Sequence, residues 1–243
     1  MSIRVLVNGA AGRMGQITVK TIQQDPTLEL VAETHNSNEL KKSLLSSKAD
    51  IAIDFTNAAA VFENTQHIIL ADVHPVIGTS GLLPEQIKEL QKLCLEKKRG
   101  GIIAPNFCIG VLLMMRLAEQ AVHYFPECEI IETHHEKKLD APSATAIKTA
   151  ELLSSARKAH PSRKQIHETL AGARGAIKNQ IPIHALRLPG FLAKQDILFG
   201  HLGGNLIISH ETIDRHAYMP GILLACKKVM SLKKLVYGLE NFL

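Results

Sequence analysis

The chain reads as an α/β protein, a Rossmann-type doubly wound parallel sheet joined to an α+β domain with a mixed sheet. Three observations predict this. Apolar strand-like runs alternate with helical patterns from Ile3 to about Ala104, the order that makes parallel strands with crossover helices. A glycine loop, Gly9-Ala10-Ala11-Gly12-Arg13-Met14-Gly15, follows the first apolar run directly. Past Asn106 the alternation stops, and helices give way to a succession of strands.

In order, Ile3 to Val7 is a buried strand, Met14 to Gln24 a helix, and Leu28 to Ala32 a second strand. Ile51 to Phe55 is a third strand, followed by a helix from Val61 to Leu70 and a strand from Val73 to Ile77. Pro84 opens a helix to Leu95, where proline suits the first turn. Glu96-Lys97-Lys98-Arg99 then puts cations at the negative end of the helix dipole, so this run reads as a helix terminus rather than a binding patch. Gly101 to Ala104 is a short strand. Gly110 to Tyr124 follows as an apolar helix, Cys128 to Thr133 as a strand and Ser143 to Lys158 as a helix. His160 to Gln180, polar and glycine-containing, is the best candidate for a flexible loop. Ile181 to Leu188, Gln195 to Phe199 and Asn205 to Ser209 are strands, and Pro220 to Met230 and Lys234 to Leu239 are helices.

At 243 residues with 46% apolar content, the chain buries a substantial core. No apolar run is long enough to cross a bilayer, and the first residues lack a basic-then-apolar leader, so a cytoplasmic protein without a membrane partner is expected. Cys94, Cys108, Cys128 and Cys226 show no metal or redox spacing and read as buried free thiols. A net charge of +5 favours anionic ligands. With only 4% aromatics and basic residues spread along the chain, nucleic acid is not the expected partner.

The glycine loop lets backbone N–H groups approach a pyrophosphate, and the following helix turns its positive end to the same charge. Its pattern is G-x-x-G-x-x-G, and Arg13 within it is placed to reach a phosphate. Where an acid at the end of the second strand would bind the ribose of NAD, the chain reads Glu33-Thr34-His35-Asn36. Glu33 lies early and His35 stands in the usual place, so NADH and NADPH both remain open. Gly78-Thr79-Ser80-Gly81 and Ala104-Pro105-Asn106-Phe107 also fall at strand ends, where cofactor contacts or ordinary turns occur.

Glu132 to Thr145 carries the second constellation. On a strand, His134 and His135 point to opposite sides and do not readily share a metal, so no metal site is expected. Ser143 is a natural helix cap. Uncovered N–H groups of Ser143, Ala144 and Thr145 would cradle a carboxylate, with the Lys138 ammonium nearby. An imidazole is then left to protonate a substrate carbon or nitrogen. The competing reading is a solvated polar turn. Together the two constellations suggest hydride transfer from a dinucleotide to an acidic substrate.

Nearly end to end, the chain resembles the dihydrodipicolinate reductase (4-hydroxy-tetrahydrodipicolinate reductase) family. The likeness rests on the G-x-x-G-R-M-G loop, Ile53-Asp54-Phe55-Thr56, Gly78 to Gly81, Ala104 to Phe107 and, most specifically, E-x-H-H-x-x-K-x-D-A-P-S-x-T-A at Glu132 to Ala146. Leu186 to Gly190, Ser209-His210 and Asp214-Arg215 also fit. The resemblance implies reduction of a cyclic, unsaturated dicarboxylate by NADH or NADPH, with loss of water, in diaminopimelate and lysine biosynthesis. It makes His134 the proton donor or acceptor, Lys138 a second proton donor, and His135, Ala144 and Thr145 ligands of the substrate carboxylate. Gly9, Ala10, Ala11, Gly12, Arg13, Met14, Gly78, Thr79, Ser80, Ala104, Pro105, Asn106 and Phe107 fall to the cofactor. It further implies a dinucleotide-binding domain of residues 1–105 and 216–243, completed by C-terminal helices, and a substrate-binding domain of residues 106–215 that forms a homotetramer through its sheet.

Two departures stand out. Ala144 occupies a position that is usually glycine in the family, so a methyl crowds the carboxylate cradle while the backbone N–H survives. Activity is expected to persist with weaker substrate affinity. The segment between the second strand and Ile51 is short, a trimmed surface loop. Two other readings compete: another two-domain dehydrogenase acting on an amino acid or sugar, which leaves the histidine–lysine cluster unexplained, and a silent NAD(P)-binding sensor, which would not need His134 and Lys138.

Overall fold

The computed structural model describes residues 2–158 and 167–243, in two compact units. One holds the chain up to Ile109 together with Arg215–Leu243, and the other is Gly110–Asp214. The sequence reading places these boundaries at 105 and 215. The loop 106–108 stays with the first unit, where Phe107 packs edge-on against Phe55 with ring centroids 5.9 Å apart.

The first unit is built on strands β1 (Ile3–Asn8), β2 (Leu28–Thr34), β3 (Ile51–Asp54), β4 (His74–Ile77), β5 (Gly101–Ile103) and β11 (Leu235–Tyr237), ordered β11-β5-β4-β3-β1-β2. Every pairing is parallel. A parallel sheet is buried on both faces, which is why Val5 to Val7 and Ile51 to Ile53 are fully buried with no alternation. Helices α2 (Ser37–Ser46), α3 (Val61–Leu70) and α4 (Pro84–Lys97) cover one face, packing Leu40, Ile68, Ile69 and Leu90 against Leu6, Ala52, Ile77 and Ile103. Helices α1 (Arg13–Gln24) and α7 (Met219–Val229) pack with each other and with the strands. The chain leaves β1 toward β2 on one side and resumes at β3 on the other, so the order reverses between β1 and β3, where open sheets of this kind bind ligands.

Three expectations are corrected here. Lys234 to Leu239 is not a helix. Leu235–Tyr237 pairs with Gly101–Ile103 as the edge strand of the sheet, the three-residue apolar run giving β5 its second partner. The segment before Ile51, expected as a trimmed surface loop, holds helix α2, capped by Asn36, whose Oδ1 accepts from the N–H groups of Asn38 and Glu39. Of the loop read at 160–180, residues 160–166 lie outside the described residues. The remainder includes strand β7 (Ala176–Lys178), joined to β8 (Ile181–Arg187) by a tight turn in which Asn179 and Gln180 both take positive φ, the geometry a two-residue hairpin favours.

The second unit has a mixed sheet ordered β10-β9-β6-β8-β7, with β6 (Glu127–His134), β9 (Ala193–His201) and β10 (Gly204–Thr212). β6 runs parallel to β8 and antiparallel to β9. Alternate residues Cys128, Ile130 and Glu132 on β6 are buried beneath helix α6 (Ala144–Ala156), which buries Ala146, Ala150 and Leu153. Helix α5 (Ile109–Ala121) opens this unit. All four cysteines are free and buried. Among the described residues no helix is long and apolar enough to cross a membrane.

Candidate active site

The glycine loop leaves β1 at Asn8 and enters α1 at Arg13. Gly9 has φ +85°, and a Cβ there would lie 2.3 Å from the Phe55 carbonyl oxygen. At Gly15 it would lie 2.1 Å from the Gly9 carbonyl oxygen. Only glycine permits that turn and that approach of helix to loop. The N–H groups of Gly9 and Ala10 both donate to the Thr34 carbonyl, and that of Gly12 donates to Gly9. Those of Ala11, Arg13, Met14 and Gly15 meet no acceptor among the described residues, and Gly12 caps the helix without a side-chain bond. Open donors at a helix start, beside a surface stripped of Cβ atoms, fit a dinucleotide pyrophosphate. Ala10 is buried, with its N–H engaged by the Thr34 carbonyl.

Gly78 lies where a Cβ would come within 2.2 Å of the Phe55 ring and 2.9 Å of the Phe107 ring. Thr79 donates its hydroxyl to Asp54 Oδ1 at 2.5 Å, while Ser80 is exposed. Asp54 is itself fully buried and also accepts from Asn8, Thr56 and Asn64, so the loops after β1, β3 and β4 share one anchor. Ala104 and Phe107 are buried, Pro105 is exposed, and Asn106 caps the next turn by accepting from the Cys108 N–H. Glu33 and His35 are both exposed at the end of β2. The backbone N–H of His35 is held by Glu39, which also takes the Asn36 side chain.

In the second unit the strand's period of two brings Glu132 and His134 to the same face of β6. Glu132 is fully buried. Its Oε2 lies 2.5 Å from His134 Nδ1 and accepts from Arg187 Nη1 at 2.9 Å. Its Oε1 accepts from Arg187 Nη2 at 2.9 Å and from the Ser143 N–H at 3.0 Å. Burial works against the charged form of Glu132, but the hydrogen bonds from His134 and Arg187 outweigh it and hold the carboxyl below its usual range. His135 follows the strand's end, half-buried. Lys138 donates to both oxygens of the exposed Asp140 at 2.7 Å, and this bond holds Asp140 below the usual carboxylate range.

Ser143 caps α6, its hydroxyl accepting from the Ala146 N–H at 3.2 Å. Its own N–H is engaged by Glu132, which corrects the expectation of three uncovered donors. The N–H groups of Ala144 and Thr145 meet no acceptor among the described residues. Ala144 is exposed and free of positive φ, so its methyl costs the backbone no strain.

Sequence reasoning assigned no role to Glu132, Arg187, Asp54 or Asp140. The i, i+2 spacing of Glu132 and His134 on a strand was a usable signal. Arg187 stands opposite His134 in the parallel register of β6 and β8, a pairing that the 52 residues between them conceal.

Family models described as dihydrodipicolinate reductase match the chain over residues 3–107 for the N-terminus and 110–243 for the C-terminus. A 4-hydroxy-tetrahydrodipicolinate reductase of Legionella pneumophila (strain Corby) is 52% identical over the full length of both chains. One from Coxiella burnetii (strain Dugway 5J108-111) is 49% identical, again over both full lengths. The dipicolinate-bound dihydrodipicolinate reductase from Paenisporosarcina sp. TG-14 superposes with a TM-score of 0.91 at 40% identity, covering all of both chains. With both halves of its fold matched and relatives this similar from end to end, the chain belongs to the dihydrodipicolinate reductase family.

Proposed function

We propose that this chain reduces 4-hydroxy-tetrahydrodipicolinate to tetrahydrodipicolinate, with NADH or NADPH as reductant and water as the second product, in diaminopimelate and lysine biosynthesis. The observation that carries this reading is the buried Glu132 carboxylate that joins the imidazole of His134 to the N-terminus of α6.

The open donors of the Gly9–Gly15 loop would hold the pyrophosphate, with Arg13 at hand for a phosphate and the loops at Gly78 to Ser80 and Ala104 to Phe107 completing the cofactor's side. Bound nicotinamide supplies hydride. His134 supplies a proton, and Lys138 is a second donor that exchanges Asp140 for substrate. The N–H groups of Ala144 and Thr145, with His135, receive a carboxylate. A family member bound to dipicolinate supports a small cyclic dicarboxylate as the ligand class. Neither competing reading accounts for the proton donors and the helix start gathered around one carboxylate.

The dinucleotide then belongs to the first unit and the substrate to the second. We further propose a cytoplasmic homotetramer assembled through the outer face of the second sheet. Leu198 and Ile207 pair there across β9 and β10, and Leu186 and Ile207 are exposed. Light scattering would return four chain masses.

The test is NADPH oxidation with freshly generated 4-hydroxy-tetrahydrodipicolinate, for the wild type and for His134→Ala. Turnover by the wild type and its loss in the variant are expected. A silent wild type sinks the assignment, and an unimpaired variant removes His134 from its role.

A further inference from the structure

We propose that Glu132 is a positioning residue that fixes His134 in its Nδ1–H form, leaving Nε2 as the nitrogen that exchanges a proton with substrate. Arg187 in turn keeps Glu132 in that place. This inference rests on the reductase reading and adds to it a specific atom and a specific tautomer.

A charged carboxylate only accepts hydrogen bonds, so the nitrogen 2.5 Å from Glu132 Oε2 must carry hydrogen whether or not the ring is charged. The carboxylate has no alternative orientation. Arg187 grips both oxygens, the Ser143 N–H holds Oε1, and the whole group is removed from water. When the charged ring gives up a proton, the Nε2–H bond breaks, that hydrogen bonds to the substrate atom, and the electron pair stays on Nε2. What remains is the neutral Nδ1–H ring, already bonded to Glu132, so no tautomer change is needed. Arg187 Nη2 also donates to the Asp140 carbonyl at 2.6 Å, and the Asp140 side chain holds Lys138. Both proton donors are thus oriented from one guanidinium–carboxylate pair.

Glu132→Gln tests this with a defined direction. Two donors that cannot reverse, the Ser143 N–H and Arg187 Nη2, meet at the Oε1 position against one, Arg187 Nη1, at Oε2, so the amide oxygen takes the Oε1 position and the amide NH2 turns toward His134 Nδ1. The neutral ring is then forced into its Nε2–H form. Histidine 15N NMR of the full chain at alkaline pH, with the His134 signal identified by its loss in His134→Asn, should show Nδ1–H in the wild type and Nε2–H in Glu132→Gln. The variant's kcat should fall about 100-fold or more while its Kd for NADPH stays within about threefold. An Nε2–H ring in the wild type overturns the proposal, and so does a variant whose kcat stays within about threefold of wild type. The wild-type tautomer is read without substrate, and His134→Asn serves only to identify the signal. A wild type with the expected tautomer but no turnover would therefore count against the reductase reading alone.

Discussion

Asn8 donates its side-chain amide to Asp54 at 2.8 Å, fastening the end of β1 to the end of β3 where the sheet's order reverses. Asn8 is itself fixed by the Thr34 hydroxyl at 2.8 Å, so the ends of three strands meet in one buried network. Asp54→Ala would leave the donors of Asn8, Thr56, Thr79 and Asn64 facing an apolar gap. The expected loss is about 3 kcal/mol or more of unfolding free energy in urea, since each stranded buried group costs about 1–3 kcal/mol. NADPH affinity, followed by its fluorescence, should weaken as the glycine loop and the Thr79 loop lose their common anchor. Unchanged stability would show that water replaces the carboxylate at no cost.

Lys138 is about one-fifth exposed and holds Asp140 with both carboxylate oxygens. Lys138→Ala removes a charge and a proton donor together. The expected fall in kcat/KM is roughly 100-fold, about 3 kcal/mol of transition-state stabilisation. A change under about twofold in a steady-state assay would make Lys138 an ordinary surface cation.

Ala144 opens α6 and is exposed. Ala144→Gly clears the methyl from the proposed carboxylate cradle and keeps the N–H. Substrate KM should drop severalfold with kcat unchanged, while stability falls by no more than about 1 kcal/mol, the helix cost of glycine. A rise in KM would show that the methyl packs against the ligand rather than crowding it.

His74 is buried on β4 and donates Nδ1–H to the Gly100 carbonyl at 3.0 Å. Desolvation lowers its pKa below the ordinary 6.5. The neutral ring's contribution to stability is full above that ordinary value and is lost as pH falls below it, because the unfolded chain takes up the proton first. Urea midpoints should therefore drop between pH 7 and pH 5 more steeply for the wild type than for His74→Gln. Equal slopes would clear His74 of any part in acid sensitivity.

The alternation of the first half was legible because parallel strands are apolar on both faces, as Val5-Leu6-Val7 and Ile51-Ala52-Ile53 show. Gly9 and Gly15 were legible because a turn and a close approach each exclude a side chain. Helix α2 carried an Asn36-x-x-Glu39 start signal among otherwise polar residues, and that signal was usable. The strand at Leu235–Tyr237 was not, since three apolar residues become a strand only when β5 offers an edge. The engaged N–H of Ser143 was hidden for the same reason: its acceptor, Glu132, lies 11 residues earlier and in another element.

The first sheet has its last edge filled by residues translated after the entire second unit, and α7 fits only because a Cβ at Gly221 would sit 1.9 Å from the Phe107 oxygen and glycine has none. When residues 1–109 have been translated, β5 can pair only with β4, and Leu235–Tyr237, which pairs its other side, is still to come. That exposed border is a point of vulnerability during synthesis, and it closes only when the final thirty or so residues emerge.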